Sequence, residues 1–365
     1  MNILSPSPYV SPGCDLVSSL PTSRPIGFRM PAESSPHGRT WMQWPARVDL
    51  YSDVWTLSEI RVDVARLARA IARFEPVVMM ASPDQAESAR NFCGPAVKVL
   101  PVPLDDLWAR DTAPTFLVNA HDEVVVIDFH FNGWGAKQSC AFDAALIGAL
   151  ARQAGMTRLS ADLVCEGGAF EVDGEGTVIT TESVLCNSNR NPGRTRQSLE
   201  ASLNEALGTR KVIWLPGVKG RDITDGHIDG FLRFVRPGLV LVELGPEGDK
   251  SPEAVMARNA VDILGRSLDA QGRKLRVVTL QRPTRCRSTH PDFLMSYANY
   301  YVCNGAVVMA EFGDSQADAR AADMLGALYP GREVVAVNVD HLHENGGGIH
   351  CATQQQPVGK TYALF

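Results

Sequence analysis

Four stretches of the chain repeat one pattern of apolar and polar positions. They read TFLVNAHDEVVVIDF (115–129), AFEVDGEGTVITTE (169–182), FLRFVRPGLVLVEL (231–244) and YYVCNGAVVMAEF (300–312). Each is a short apolar strand, a polar turn (with glycine in three of the four) and a β-branched strand, which predicts a β-hairpin. Their starts are separated by 54, 62 and 69 residues. Helical periodicity predicts helices near 142–154, 196–207, 252–267 and 316–328, and KVIWL and LRVVTL read as further strands. Earlier in the chain, Thr56-Leu57-Ser58-Glu59 has capping-box spacing, with Ile60, Val64, Leu67, Ile71 and Phe74 following at helical intervals. Pro76 is expected to end that helix, and VVMMA (77–81) reads as a buried strand.

Like units at such spacing predict radial repetition, that is, propeller blades carrying helices. TWMQWP (40–45) and the segment around 333–365 would then share a fifth blade that closes the ring. Periodicity alone leaves an ordinary α/β sandwich with meandering hairpins as the alternative.

Length and charge narrow the classes. At 365 residues and 45% hydrophobic, the chain can bury one large core or two ordinary ones. A net charge of −6 without a Lys/Arg run argues against a nucleic-acid or anionic-membrane partner. No apolar run has the length of a membrane span. Residues 1–28 lack the regions of a signal peptide and read as a flexible lead-in to a single domain over 29–365. The eight cysteines (14, 93, 140, 165, 186, 286, 303, 351) form no CxxC pair, as expected of a reduced cytoplasmic protein rather than a disulfide framework.

The chemistry-bearing residues recur at one place in each unit. LDDLWARDTAP, with Trp108, Arg110 and Asp111, precedes the first hairpin; CEGG, with Glu166, the second; DITDGHIDG, with His227 and Asp229, the third; MSYANYY, with Asn299, the fourth. In a ring these ends meet near the axis, where Cys351 joins from the closing blade. Each residue also has a plainer reading. Asp111 could cap a helix or pair with Arg110, Glu166 could sit in an exposed turn, His227 and Asp229 could form a structural pair on one strand face, and Trp108 could be core.

HLHENGGGIHCATQQQP (341–357) poses a choice between a metal site and a reactive cysteine. His341 and His343 have the i,i+2 spacing of strand ligands. His350 and Cys351 are adjacent, so in an extended chain they face opposite ways and could not share a ligand cluster. The glycines, Gly348 among them, instead permit close backbone approach to a ligand beside a projecting side chain. The reading taken is a reactive cysteine, with neither metal nor cofactor. GKT at 359–361 lacks the first glycine of a phosphate loop, and there is no GxSxG or GxGxxG motif. Carboxylates flanking a nucleophile suit a planar cation rich in N–H donors, a guanidinium. Cysteine attack with a histidine acid and base would give a ureido group and ammonia.

RMPAESSPHGRTWMQWP, LWARDTAPTF, FNGWG, EGGAFEVDGEGT, NSNRNPG, GHIDGFLRFVRPG, SYANYYVCNG, FGD and GGGIHCATQQQP fall in order from residue 29 to 357. Together they resemble the agmatine deiminase and Porphyromonas-type peptidyl-arginine deiminase family. The resemblance implies a five-bladed pentein α/β propeller, with pseudo-fivefold repeats around a central active site. It also implies hydrolysis of a small guanidino substrate through an amidino-cysteine intermediate. It makes Cys351 the nucleophile and His227 the acid/base; Asp111 and Asp229 hold the guanidinium, Glu166 supports the histidine and the substrate nitrogens, and Trp108 lines the channel, with Asn299 a further site residue. Agmatine leads as substrate. Arginine, peptidyl arginine or a specialised guanidino metabolite are the alternatives, then amidino transfer or binding without catalysis; a homo-oligomer is compatible. This chain has Ser34 where these enzymes typically carry Trp, NGGGIHC for GGGNIHC, and Ile223-Thr224-Asp225 for Glu-Thr-Asn. The family's glutamate lies toward the amine tail, so weak use of agmatine is expected at Ile223 unless Asp225 or Asp222 replaces it.

Overall fold

The computed structural model describes residues 27–51 and 53–360. The four predicted hairpins all form, as the antiparallel pairs Thr115–Val118/Val124–Asp128, Phe170–Val172/Thr177–Thr181, Leu232–Arg236/Leu239–Leu244 and Tyr301–Cys303/Ala306–Ala310. Each gains a third strand, parallel to the second: Arg158–Ser160, Lys211–Leu215, Arg276–Gln281 and Glu333–Val337. A parallel neighbour cannot be reached by a tight turn. The chain therefore crosses through a helix each time: Ala141–Ala154, Arg196–Leu207, Pro252–Arg266 and Ser315–Leu328.

The fifth sheet follows the same plan across the two ends of the chain. Gln354–Pro357 pairs antiparallel with His37–Gln43, which pairs in parallel with Val77–Ala81, and Val97–Pro101 adds a fourth strand. The crossover here is Val54–Ile71. Trp41, opposite Gln354 in register, donates its indole N–H to Gln356 at 2.9 Å. Five separate sheets of one repeating plan make the mixed α/β fold of a five-bladed propeller.

Three expectations are corrected. The first helix begins at Val54, capped by Asp53, whose carboxylate accepts the Thr56 N–H at 2.8 Å. An acceptor three residues upstream thus pre-empts the Thr56 capping box, and Phe74 lies beyond the end at Ile71. Glu333–Val337 belongs to the fourth sheet, so only the far end of the 333–365 segment closes the ring. His341 and His343 lie on the helical turn Asp340–His343, not on a strand, because Asp63 caps that turn by accepting from the His341 and Leu342 N–H groups. Among the described residues no helix is long and apolar enough to cross a membrane.

Candidate active site

The residues singled out in each unit lie two to five positions ahead of the first strand of its hairpin: Asp111, Glu166, His227 and Asp229, Asn299, and Cys351 ahead of Gln354. Hydrogen bonds tie these segments into a closed ring. Gly168 N–H donates to Asp111 at 2.9 Å, and His227 Nε2 meets Glu166 at 3.3 Å. The Asn299 amide donates to the Asp229 carbonyl at 3.1 Å, His350 N–H donates to Asn299 at 3.0 Å, and Arg110 N–H donates to the Cys351 carbonyl at 3.0 Å. Convergence on the axis is thus a matter of direct contact.

Cys351 is half-buried on a turn rather than in an extended strand. Its Sγ accepts from the Asn299 amide at 3.2 Å and lies 3.4 Å from Asp229 Oδ2. The same Oδ2 meets His350 Nδ1 at 2.7 Å. Turning the backbone brings His350 and Cys351 to one carboxylate, which corrects the expectation that neighbours must diverge. His343 is buried with Nδ1 on the Leu294 carbonyl at 2.6 Å, and burial drives its pKa down to about 4. Among the described residues no group of three or more His, Cys, Asp or Glu is placed to hold a metal ion.

His227 stands at the start of the 3-10 turn Ile228–Gly230 and Asp229 lies within it, just before the third hairpin, not on a strand face. Burial disfavours the imidazolium of His227, but Asp111, Glu166 and Asp229 outweigh it and raise its pKa to about 9. Burial likewise opposes the Asp229 carboxylate, yet His350, His227 and Arg110 hold it at about 2. Burial raises Asp111, although His227 and a 2.9 Å bond from the Trp134 indole favour its charge. The Cys351 thiol is pushed well above its usual value by burial and then by Asp229 and Asp111. Glu166, fully buried, receives Arg190 Nε at 2.8 and 3.0 Å.

A cavity of about 130 Å³ is lined by Cys351, His227, Asp111, Asp229, Trp108 and Ile223 among others. At about 30 Å³ per water, that is room for one slender molecule. Glu166 is not among the lining residues; its carboxylate stands behind His227, 3.3 Å from Nε2, as expected of a group that supports the histidine. Asn299 and Gly348 also sit one layer back. A Cβ on Gly348 would lie 2.5 Å from Asn299 Oδ1, so this glycine admits the Asn299–Cys351 contact, while Gly346 and Gly347 form the wall. A Cβ on Gly347 would strike the Trp108 ring at 2.3 Å, and one on Gly168 would lie 2.6 Å from His227 Nδ1.

Sequence reasoning missed five contributors. Trp134 of FNGWG holds Asp111 from a segment in which His130, Trp134 and Ala136 all have positive φ, a strained path for non-glycine residues. Arg190 of NSNRNPG neutralises Glu166, while Glu33 of MPAESS reaches His350 at 2.7 Å. Tyr51 and Asp106, bonded to each other at 2.7 Å, form part of the far wall. The motifs themselves were visible, but only their folded partners give them a role.

Comparison with known proteins extends this geometry. The model of the Porphyromonas-type peptidyl-arginine deiminase family matches residues 29–357. The agmatine deiminase of Pseudomonas putida (strain F1) is 38% identical, with 92% of this chain and 97% of that protein covered. The agmatine deiminase of Medicago truncatula is also 38% identical, covering 91% and 97%. Among solved structures, the agmatine deiminase of Enterococcus faecalis superposes with a TM-score of 0.87 at 30% identity, over 94% of this chain and 99% of that one. The chain belongs to the Porphyromonas-type peptidyl-arginine deiminase family.

Proposed function

We propose that the chain is an agmatine deiminase, converting agmatine and water to N-carbamoylputrescine and ammonia. The observation that carries this reading is the cavity, where Cys351, His227 and the carboxylates of Asp111 and Asp229 face the same small space. The names and near-complete coverage of the P. putida, M. truncatula and E. faecalis relatives support the choice of substrate. All seven cysteines in the described residues are free, which favours a reducing, cytoplasmic setting.

Without a guanidinium beside it Cys351 is a thiol, because burial, Asp229 and Asp111 all oppose the thiolate. A guanidinium held between Asp111 and Asp229 offsets both charges and brings a cation to the sulfur, so with substrate in place the thiol releases its proton to solvent and the thiolate forms. Sulfur adds to the central carbon. His227, protonated at neutral pH, gives its proton to one terminal nitrogen, the C–N bond breaks and ammonia leaves. The neutral imidazole then takes a proton from water as the oxygen adds to the amidino carbon. Collapse of this adduct expels the thiolate, and transfer of the hydroxyl proton to that sulfur leaves the ureido product and restores the Cys351 thiol. Glu166, itself paired to Arg190, steadies the imidazolium from behind.

A panel of agmatine, arginine, peptidyl arginine and guanidinobutyrate, assayed for ammonia and ureido product, tests the reading. Agmatine should have the highest kcat/KM, with the two products in equal amounts. Preference for arginine, or transfer of the amidino group to an added amine, would overturn it.

The amine tail has a specific test. Ile223 lines the cavity and is 38% exposed, offering no counter-charge. Asp225 cannot replace the family's glutamate, since it is buried and taken up by Lys137 at 2.8 Å and Arg190 at 2.9 Å. Asp222, exposed and lining the cavity, is left as the acid of this segment that faces the tail. A charge-assisted hydrogen bond contributes about 1.5–3 kcal/mol, roughly ten- to a hundredfold in binding. Lys137 Nζ, 2.9 Å from the Ile223 carbonyl, would draw off part of a new charge. Ile223→Glu should therefore raise kcat/KM for agmatine, relative to a guanidine with a neutral tail, by about tenfold. An unchanged ratio in steady-state kinetics would move the tail elsewhere.

A further inference from the structure

We propose that His350 is a positioning residue for this reaction: clamped between Asp229 and Glu33, its ring keeps the Asp229 carboxylate charged and aimed at the guanidinium. The inference rests on the guanidine reading of the cavity and names a group that does not itself line it.

The clamp is built from both sides. His350 Nδ1 lies 2.7 Å from Asp229 Oδ2, and Nε2 lies 2.7 Å from Glu33 Oε2; His350 and Asp229 are each 1% exposed. An ionised carboxylate only accepts hydrogen bonds, so a ring facing two of them satisfies both only by donating from both nitrogens, which makes it a cation. The backbone of His350 is fixed as well, its N–H on Asn299 and its carbonyl taking Arg110 Nε at 3.4 Å.

Charge accounting gives that cation one task. Behind the ring, Glu33 pairs with Arg233 at 2.7 Å and Arg110 at 3.3 Å, and Arg233 also pairs with Glu171 at 2.7 Å. Two acids and two arginines balance, which leaves the charge of His350 to Asp229. In front, Asp229 shares the cavity with Asp111, His227 and the Cys351 thiol. Two carboxylates in one buried space raise each other's pKa unless each has its own cation. Asp111 has His227, with its ring nitrogen 3.7 Å away. Asp229 has His350, and the low pKa of Asp229 agrees, since once burial is overcome the His350 bond and charge come first among its causes. The bond also occupies Oδ2 and leaves Oδ1, which faces the Gly168 backbone beside Asp111, for the substrate.

The test compares full-length His350→Gln and Glu33→Gln with the parent, using thermal melting as the check on folding. Two pH profiles are read: kcat/KM for agmatine, and the rate of Cys351 alkylation by chloroacetamidine, a planar cation that needs to be held but not turned over. Loss of the cation raises the Asp229 pKa, so the carboxylate is neutralised at a higher pH as the medium is acidified. His350→Gln should move the acid limb of both profiles upward by about one pH unit or more and raise KM for agmatine about tenfold. Glu33→Gln, which keeps an acceptor but removes the outer charge, should move them the same way by less. A folded His350→Gln protein with the parental acid limb and KM overturns the proposal. Should that variant not fold, an unmoved limb in Glu33→Gln overturns it equally. If the parent is alkylated at Cys351 yet deiminates no guanidine, the functional reading fails while the alkylation profiles still judge His350.

Discussion

Cys351→Ser should fold as the parent does and turn over no agmatine, with kcat reduced at least about a thousandfold. Serine fits because the change is one atom on a half-buried side chain, and the Asn299 amide that donates to Sγ at 3.2 Å can donate to an oxygen. A retained hydrogen bond limits the stability change to about 1 kcal/mol. Chemistry is another matter. A guanidinium arriving beside a thiol can shift its ionisation far enough to make thiolate, but an alcohol is several pKa units weaker as an acid. The site has no base free to assist it. His227 carries its proton at neutral pH, while the Asp229 oxygen nearest the sulfur already serves His350. The variant should therefore bind agmatine without consuming it, giving a rise in melting temperature with added agmatine and no ammonia. Ammonia release near the parental rate would remove Cys351 from the mechanism.

The hairpins were legible because their signal is local: β-branched runs separated by a turn pair with themselves, and all four lie where the alternation put them. Their shared position ahead of each hairpin carried the site, because a repeated fold turns sequence register into spatial register. The misreadings came where local geometry was assumed. Treating 350 and 351 as extended separated two side chains that a turn unites on Asp229, and treating His341 and His343 as strand residues overlooked a helical turn capped from Asp63. Buried partners were the least visible. Nothing in MPAESS or NSNRNPG announces that Glu33 will meet His350 or that Arg190 will neutralise Glu166, contacts between residues 317 and 24 positions apart. A charged residue in a motif shows that something is paired there, and only the fold says with what.

His227→Ala should lower kcat by about a hundred- to ten-thousandfold, the usual range for removing a general acid or base. It should also change which enzyme form accumulates. The histidine acts twice, giving a proton to the departing nitrogen and later taking one from water. The first step has a partial substitute, since nitrogen expelled from a tetrahedral adduct can be protonated by water entering the space the ring vacated. The second has none nearby: Asp111 and Asp229 are occupied with the substrate, and Glu166 is set back against Arg190. Attack without efficient hydrolysis leaves the amidino group on Cys351, and intact-protein mass spectrometry after mixing with agmatine should find that adduct. The pH behaviour should change too. The His227 pKa, about 9 in the fold, lies above the ordinary value near 6.5. The stability it contributes is therefore fully present below that ordinary value and is lost as the pH rises through about 9. The parent's melting temperature should fall across that interval, and the variant's should not fall by this route. Removing the ring also strands Asp111 opposite Asp229, so the variant should melt lower than the parent at neutral pH, with agmatine restoring part of the loss. Rapid and complete turnover by His227→Ala, with no adduct at any time point, would assign the proton transfers to another group.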